Sequence, residues 1–463
     1  MIEIVIAKFL GYGVFWDSGL RNRFRRNLRS WLSRGRRVLW SCTVTALPKA
    51  VGERLVEQRI SIFGIDLFAR RWRRPKYRVG LLVDEFFGGW DTAIGGYGAL
   101  ARKYICRFIP DDALQIDVLL NVQGGSGVGS KVVDQTVLYR LPFEVWDRQS
   151  WLEKQAYNLF ISIEMTEPSF RILESFTSNV PLLYWIQDPR ELNMYQSRLR
   201  SMRRVRDDDW NYLNEVSDWI KKLLERNQIF FISQGNSLSA IARQLYNLPS
   251  DVRIKDVANP IEIDDEYIFD EARSPNKIVF LGRLEAQKRA WIFCEIAKAM
   301  PQFEFFVIGA TGVGRNEGGN AKALEAYRNL DGSSKIKNLH FTGHLDGNAK
   351  NDYIRSAKIL VNTSIWEGIP VSWLEALSYG TLIVSSFDRD FIVTRFGTFV
   401  GEIMGDGVDE SYINLFVDAI NYWMTNDAER KVIGMKAINY VRERHSIENF
   451  VDTMRSEIYN VIP

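Results

Sequence analysis

Short apolar runs of strand length alternate along this chain with stretches whose apolar residues recur at helical spacing. The strand-like runs are 77–84, 159–163, 182–186, 229–233, 277–281, 303–309, 339–343, 359–363 and 381–385. Between them, 99–108, 237–246 and 370–379 carry helical patterns, and 412–462 is helical in pattern almost to the end. Strands alternating with helices predict parallel sheets of the α/β class. The stretch Ser364 to Ser385, SIWEGIPVSWLEALSYGTLIVS, is the most informative. Pro370 suits a first helical position, where its missing N–H is no loss, and Gly380 suits a left-handed helix end. This is a strand–loop–helix–strand unit whose helix N-terminus offers the N–H groups of Ile369, Val371 and Ser372 to an anion.

Length and composition narrow the class. At 463 residues with 46% apolar residues, the chain is long enough for two to three domains. The three cysteines, Cys42, Cys106 and Cys294, lie far apart without metal-ligand spacing, which suits a reducing cytoplasm. The first residues lack a basic signal-peptide region, and no charge-free apolar run is long enough to span a bilayer.

The net charge of +3 hides an asymmetry: residues 1–76 hold 17 Lys/Arg against 5 Asp/Glu, and the remainder is net acidic. Within that extension Leu20, Phe24, Leu28 and Trp31 share one helical face among arginines. Residues 18–40 therefore read as an anionic membrane surface contact, peripheral on the inner face, or equally as a helix packed on the protein's own core. No recognised motif accompanies the arginines, so nucleic acid is not expected as a partner.

Candidate chemistry gathers at strand ends. Glu367 and Glu375 flank Gly368, Ile369, Pro370 and Val371; a carboxylate can accept two hydrogen bonds from a vicinal diol, and Glu375 lies one turn beyond Val371 on the same helix face. The plainer alternative is a surface helix with acids near its positive end. Gly282-Arg283-Leu284, then Lys288, follow the strand at 277–281 and supply a planar cation and a mobile one suited to phosphate. Gly309 follows the strand at 303–309. In the first half, Gly88 to Gly98 is a glycine-rich turn after a strand, with Gly95, Gly96 and Gly98 able to approach a phosphate or sugar. Asp188 ends the strand at 182–186, where ligands of open α/β sheets bind. Gln123 to Lys131 resembles a phosphate loop, but Ser130 intervenes before the lysine and excludes an NTPase P-loop.

The pattern E-G-x-P-x-x-x-x-E at 367–375, with Arg283 and Lys288 about 85 residues earlier, resembles the signature of retaining glycosyltransferases of family four, of the bacterial polysaccharide and glycan assembly type. That resemblance implies a GT-B fold: two Rossmann-like domains facing a cleft, here preceded by the basic N-terminal extension 1–76. The first, acceptor domain would cover 77–265, rejoined by the C-terminal helix 447–463, and the second, nucleotide-sugar donor domain 266–446. It further implies that Glu367 holds the donor sugar, Gly368 to Val371 the diphosphate together with Arg283 and Lys288, and Glu375 the ribose, with Gly282, Gly309 and Ser372 also binding the donor. His344, just past the strand at 339–343, reads either as a neighbour of the nucleobase through nearby backbone or as a plain loop residue. Gly95, Gly96 and Gly98 would lie near the donor phosphates and the acceptor, with Asp188 placed for acceptor or donor work. Many relatives carry a histidine immediately before this aspartate, where this chain has Gln187. The expected reaction is transfer of a sugar, with retention, from a nucleoside-diphosphate sugar to a glycan or lipid-linked acceptor in surface polysaccharide synthesis. No metal and no cofactor beyond that co-substrate are expected. A nucleotide-sugar epimerase, or a non-catalytic sugar-nucleotide-binding subunit of an assembly complex, are the alternatives.

Overall fold

The computed structural model describes residues 75–120, 129–142, 144–174, 179–190, 197–198, 201–202, 212–269, 273–310 and 324–462. The basic segment 18–40, Cys42, residues 123–128 and the glycine-rich 311–319 lie outside them. Residues 75–463 form one compact unit built on two sheets. The first contains β1 (Tyr77–Leu82), β2 (Leu114–Leu120), β3 (Gly129–Val133), β4 (Thr136–Arg140), β5 (Leu159–Ile163), β6 (Leu182–Ile186), β7 (Ile229–Ser233) and β8 (Ile254–Asp256). The second contains β9 (Lys277–Leu281), β10 (Glu304–Ile308), β11 (Leu339–Gly343), β12 (Ile359–Asn362), β13 (Leu382–Ser385) and β14 (Gly397–Phe399).

Their spatial orders are β3-β4-β2-β1-β5-β6-β7-β8 and β11-β10-β9-β12-β13-β14. Every pairing is parallel except the β3–β4 hairpin. Each sheet runs outward from its first strand, then doubles back past it, which makes both Rossmann-like. The reversal opens a crevice at the carboxyl ends of β1 and β5 in one domain and of β9 and β12 in the other.

Burial on both faces explains why the strands read as apolar runs. Along β5 and β6, Leu159, Ile161, Ile163, Leu183 and Trp185 join one core cluster, while Phe160, Leu182, Tyr184 and Ile186 join the other. This is the period of two that a pleated strand imposes. Helix Ile447–Val461 covers the first cluster, with Phe450 stacked on Trp185 at 5.7 Å and Met454 and Ile458 fully buried. Each such side chain contributes about 1.5–3 kcal/mol. Arg455 fixes the helix's register by donating to the carbonyls of Phe108, Ile109 and Pro110. Ser446 caps its start through the Asn449 N–H, 3.2 Å away.

Several elements depart from the sequence expectation. Pro370 is the N-cap, with ψ 133°, and helix Val371–Ser378 begins one residue later. The helix expected at 99–108 starts at Gly96 and is wound as a π-helix over Leu100–Ile105. Strands β2, β3, β4, β8 and β14 were not anticipated. Gly380 does end its helix, at φ +66°.

Candidate active site

A cleft of about 360 Å³ lies where the carboxyl ends of the two sheets face each other. On the second domain, the backbone leaving β9 turns at Gly282 and Arg283 into the short helix Ala286–Lys288. Gly309 lies against this turn: a side chain there would place its Cβ 1.9 Å from the Gly282 carbonyl oxygen, so only glycine fits. Arg283 pairs with Glu285 at 3.1 Å, and Lys288 pairs with the Glu367 carboxylate.

The loop carrying Glu367 is pinned to the loop carrying Lys288. Thr363 Oγ1 donates to the Lys288 carbonyl at 2.7 Å, Gln287 Nε2 to the Trp366 carbonyl at 2.8 Å, and Arg389 Nε to the Glu367 carbonyl at 3.1 Å. Beneath them Arg289, completely buried, donates to the carbonyls of Thr363, Ser364, Ile403 and Gly405 and to the Ser386 hydroxyl. Burial lowers its pKa. A buried cation without a carboxylate is costly, and the ring of carbonyl acceptors offsets that cost.

Past Glu367 the chain runs through Gly368, Ile369 and Pro370 into helix Val371–Ser378, whose first N–H groups have no acceptor within the helix. Val371, Ser372 and Glu375 all line the cleft. Glu375 is bonded to Lys350 Nζ at 2.5 Å, and Lys350 comes from helix Gly347–Ser356. His344 also lines the cleft, exposed, with its ring 6.5 Å from that of Phe87.

The first domain supplies the opposite wall. Asp188 is buried; its Oδ1 accepts from Trp366 Nε1 of the second domain at 2.6 Å and its Oδ2 from Arg190 Nε at 2.9 Å. In place of a histidine, Gln187 joins an amide ring with Asn259 and Gln234, closed by contacts of 2.6–3.1 Å. Glu164, buried at the end of β5, accepts the N–H groups of Met165, Gln187 and Asp188 and the Tyr184 hydroxyl, and burial raises its pKa. This carboxylate shapes the turn that presents Asp188.

The domains touch closely at the cleft floor. A Cβ on Gly368 would lie 2.1 Å from the Gln187 carbonyl oxygen. Lys103 bridges to Asp346 at 2.7 Å, and the Asp390 carboxylate accepts the N–H groups of Asn236 and Ser237.

The cleft thus brings together Asp188, Gly282, Arg283, Lys288, Gly309, Glu367, Gly368, Ile369, Val371, Ser372, Glu375, Gly95 and Gly96. Gly98 stands behind the wall, where its N–H reaches Glu85 at 3.0 Å. Sequence reasoning missed Glu85, Lys103, Lys350 and Trp366. Glu85 alone had a readable signal, as a carboxylate at a strand end before a glycine-rich turn. Among the described residues no group of three or more His, Cys, Asp or Glu could hold a metal ion. Nor is any described helix long and apolar enough to cross a membrane.

Two Rossmann-like domains facing one cleft define the GT-B class. Residues 264–440 match the family model described as Glycosyl transferases group 1. Among solved structures, sucrose-phosphate synthase from Thermosynechococcus elongatus is similar, at 15% identity and a TM-score of 0.60, over 83% of this chain and 98% of that one. HepE from Anabaena, in complex with UDP-glucose, is similar at 13% identity and 0.57, over 83% and 99%. A glycosyltransferase from Rickettsia africae gives 10% and 0.53, over 83% and 98%. At these identities the likeness establishes the fold. No curated protein matches the chain in the sequence search.

Proposed function

We propose that this protein is a glycosyltransferase that moves a sugar from a nucleoside-diphosphate sugar to a hydroxyl of a glycan or lipid-linked acceptor, with retention. The observation that carries the reading is the convergence of Arg283, Lys288 and the N-terminus of helix Val371–Ser378 on one cleft with Glu367 and Glu375. The three positive groups suit a diphosphate, whose charge grows as it leaves; preorganised donors aimed at developing charge lower barriers substantially. Lys288, already paired with Glu367, couples the diphosphate to the carboxylate assigned to the sugar. Glu375 is assigned to the ribose and Asp188 to the acceptor side.

Side-chain cations take the leaving charge in this reading, so turnover should persist in EDTA. The basic segment 18–40 is the part of the chain suited to an anionic membrane, where a lipid-linked acceptor resides; cosedimentation with anionic vesicles tests it, and failure to bind them counts against it. The whole reading is tested with labelled UDP-, GDP- and TDP-sugars, with and without acceptor. Acceptor-dependent transfer supports it. Interconversion of the sugar without transfer, or binding without turnover, would replace it with an epimerase or a silent subunit.

A further inference from the structure

Glu85 stands three residues beyond β1, on the wall of the cleft that Arg283 also lines. Its residue is only 8% exposed. Each of the six other carboxylates lining the cleft has a cation: Asp188 has Arg190, Glu262 has Arg107, Glu285 has Arg283, Asp346 has Lys103, Glu367 has Lys288 and Glu375 has Lys350. Among the described residues Glu85 makes no ion pair. Its Oε1 accepts the Gly98 N–H at 3.0 Å, and no donor among the described residues reaches its Oε2.

The surrounding backbone is shaped to this carboxyl group. A Cβ on Gly95 would lie 2.1 Å from Oε1 and 2.4 Å from Oε2, and one on Gly98 would lie 2.6 Å from the Phe87 nitrogen. Gly95 has extended dihedrals that any residue can adopt, φ −152° and ψ 178°, so what a side chain there would displace is the Glu85 carboxyl group itself. The glycine-rich turn therefore cradles a buried carboxylate that, among the described residues, has no ion-pair partner. Such a group is expensive to keep dry without a ligand to meet it.

We propose that Glu85 is a catalytic residue that receives the acceptor, its free carboxylate oxygen accepting the attacking hydroxyl's hydrogen bond and then its proton. This rests on the glycosyltransferase reading above. The acceptor oxygen bonds to the anomeric carbon as that carbon's bond to the diphosphate oxygen breaks, and the electron pair leaves with the nucleoside diphosphate. The acceptor proton passes to Glu85 and from there to solvent.

Burial raises the Glu85 pKa, Arg283 and the Gly98 N–H oppose that rise, and Asp84 and Glu285 add to it; Tyr97 of the following helix also faces it. A base with a raised pKa is better matched to its work near neutral pH.

The test compares the full-length wild type with Glu85→Gln, which keeps an oxygen for the Gly98 N–H but cannot take a proton. Binding of UDP, GDP and TDP is measured by calorimetry. Turnover of the corresponding labelled sugars is measured to water and to octyl glucoside across pH. Glu85→Gln should melt with the wild type, bind the same nucleotide within about twofold, and lose on the order of a hundredfold in turnover. It should also lose the limb of the pH profile that rises with pH. A Glu85→Gln variant that turns over at the wild-type rate with an unchanged profile overturns the proposal and leaves the glycosyltransferase reading standing. A wild type that neither binds nor turns over any of these donors overturns both. If Glu85→Gln melts early, Glu85→Ala is the second variant, which removes the carboxylate outright; wild-type turnover by it would equally count against the assignment, and recovery of its lost turnover by added formate or azide would support it.

Discussion

His445 gives the fold a calculable sensitivity to acid. It lies between helix Asp427–Arg444 and the helix that returns to the first domain, and it is 1% exposed. Its Nδ1–H donates to the Asn259 carbonyl at 2.7 Å and its Nε2 accepts the Tyr440 hydroxyl at 3.2 Å, so the ring is satisfied as neutral imidazole. Burial depresses its pKa from 6.5 to about 4, the Asn259 carbonyl opposing and Arg444 adding to the shift. As pH falls through this window, the unfolded chain takes up a proton that the folded chain refuses. Stability is therefore full above pH 6.5 and is lost towards about pH 4. The gap is worth about 3 kcal/mol. His445→Gln retains an amide donor and an acceptor but cannot titrate. At neutral pH it should cost about 1 kcal/mol in imperfect hydrogen bonding. Urea unfolding of both chains between about pH 7 and pH 4.5 should show that deficit shrinking, then reversing, as the wild type loses its His445 contribution. Two curves that stay parallel across the window would refute the assignment.

Gly368→Ala should push the Gln187 carbonyl and the Gln234 amide away from the second domain, costing about 1–3 kcal/mol and lowering the melting temperature. An unchanged melting temperature would show that the cleft floor is looser than its geometry states. Glu375→Gln, at the position assigned to the ribose, should raise the donor KM roughly ten- to a hundredfold while kcat stays near wild type, as expected for a lost hydrogen bond to a charged group. Initial rates against donor concentration decide this, and a collapse of kcat instead would contradict the role.

Much of the second domain could be read before any coordinates. β9 falls on the apolar run expected for it because its Ile278, Val279 and Phe280 are consecutive and buried, and β11 on its expected span because Leu339 and Phe341 alternate up to Gly343. The 367–375 motif could be read because its loop–helix junction carries Pro370 and its end carries Gly380. The missed strands have physical reasons. β2 contains Asp117, fully buried, whose charge is met by Arg78, Gln115 and Tyr157, none of them visible as a partner in sequence. The β3–β4 hairpin turns on Asp134 and Gln135, both at positive φ, where an Asn-Gly or Asp-Gly pair would have announced it. β8 and β14 are three residues each, too short for a period. Lys103 and Trp366 meet their partners Asp346 and Asp188 only through the facing of the two domains, and Lys350 meets Glu375 only through the packing of two helices of the second domain, which no local pattern encodes. The amide ring of Gln187, Gln234 and Asn259 is likewise assembled from three separate strand ends.

The most direct test of the donor-site assignment is Glu367→Gln. Its carboxylate is buried, paired with Lys288, and assigned to the sugar itself, where positioning matters most at the transition state. Calorimetry with the nucleoside diphosphate that the wild type binds, together with turnover of the matching labelled nucleotide sugar, separates binding from chemistry. The account predicts near-normal nucleotide affinity and a kcat lowered roughly ten- to a hundredfold. A Glu367→Gln variant that binds normally and turns over at the wild-type rate would contradict it.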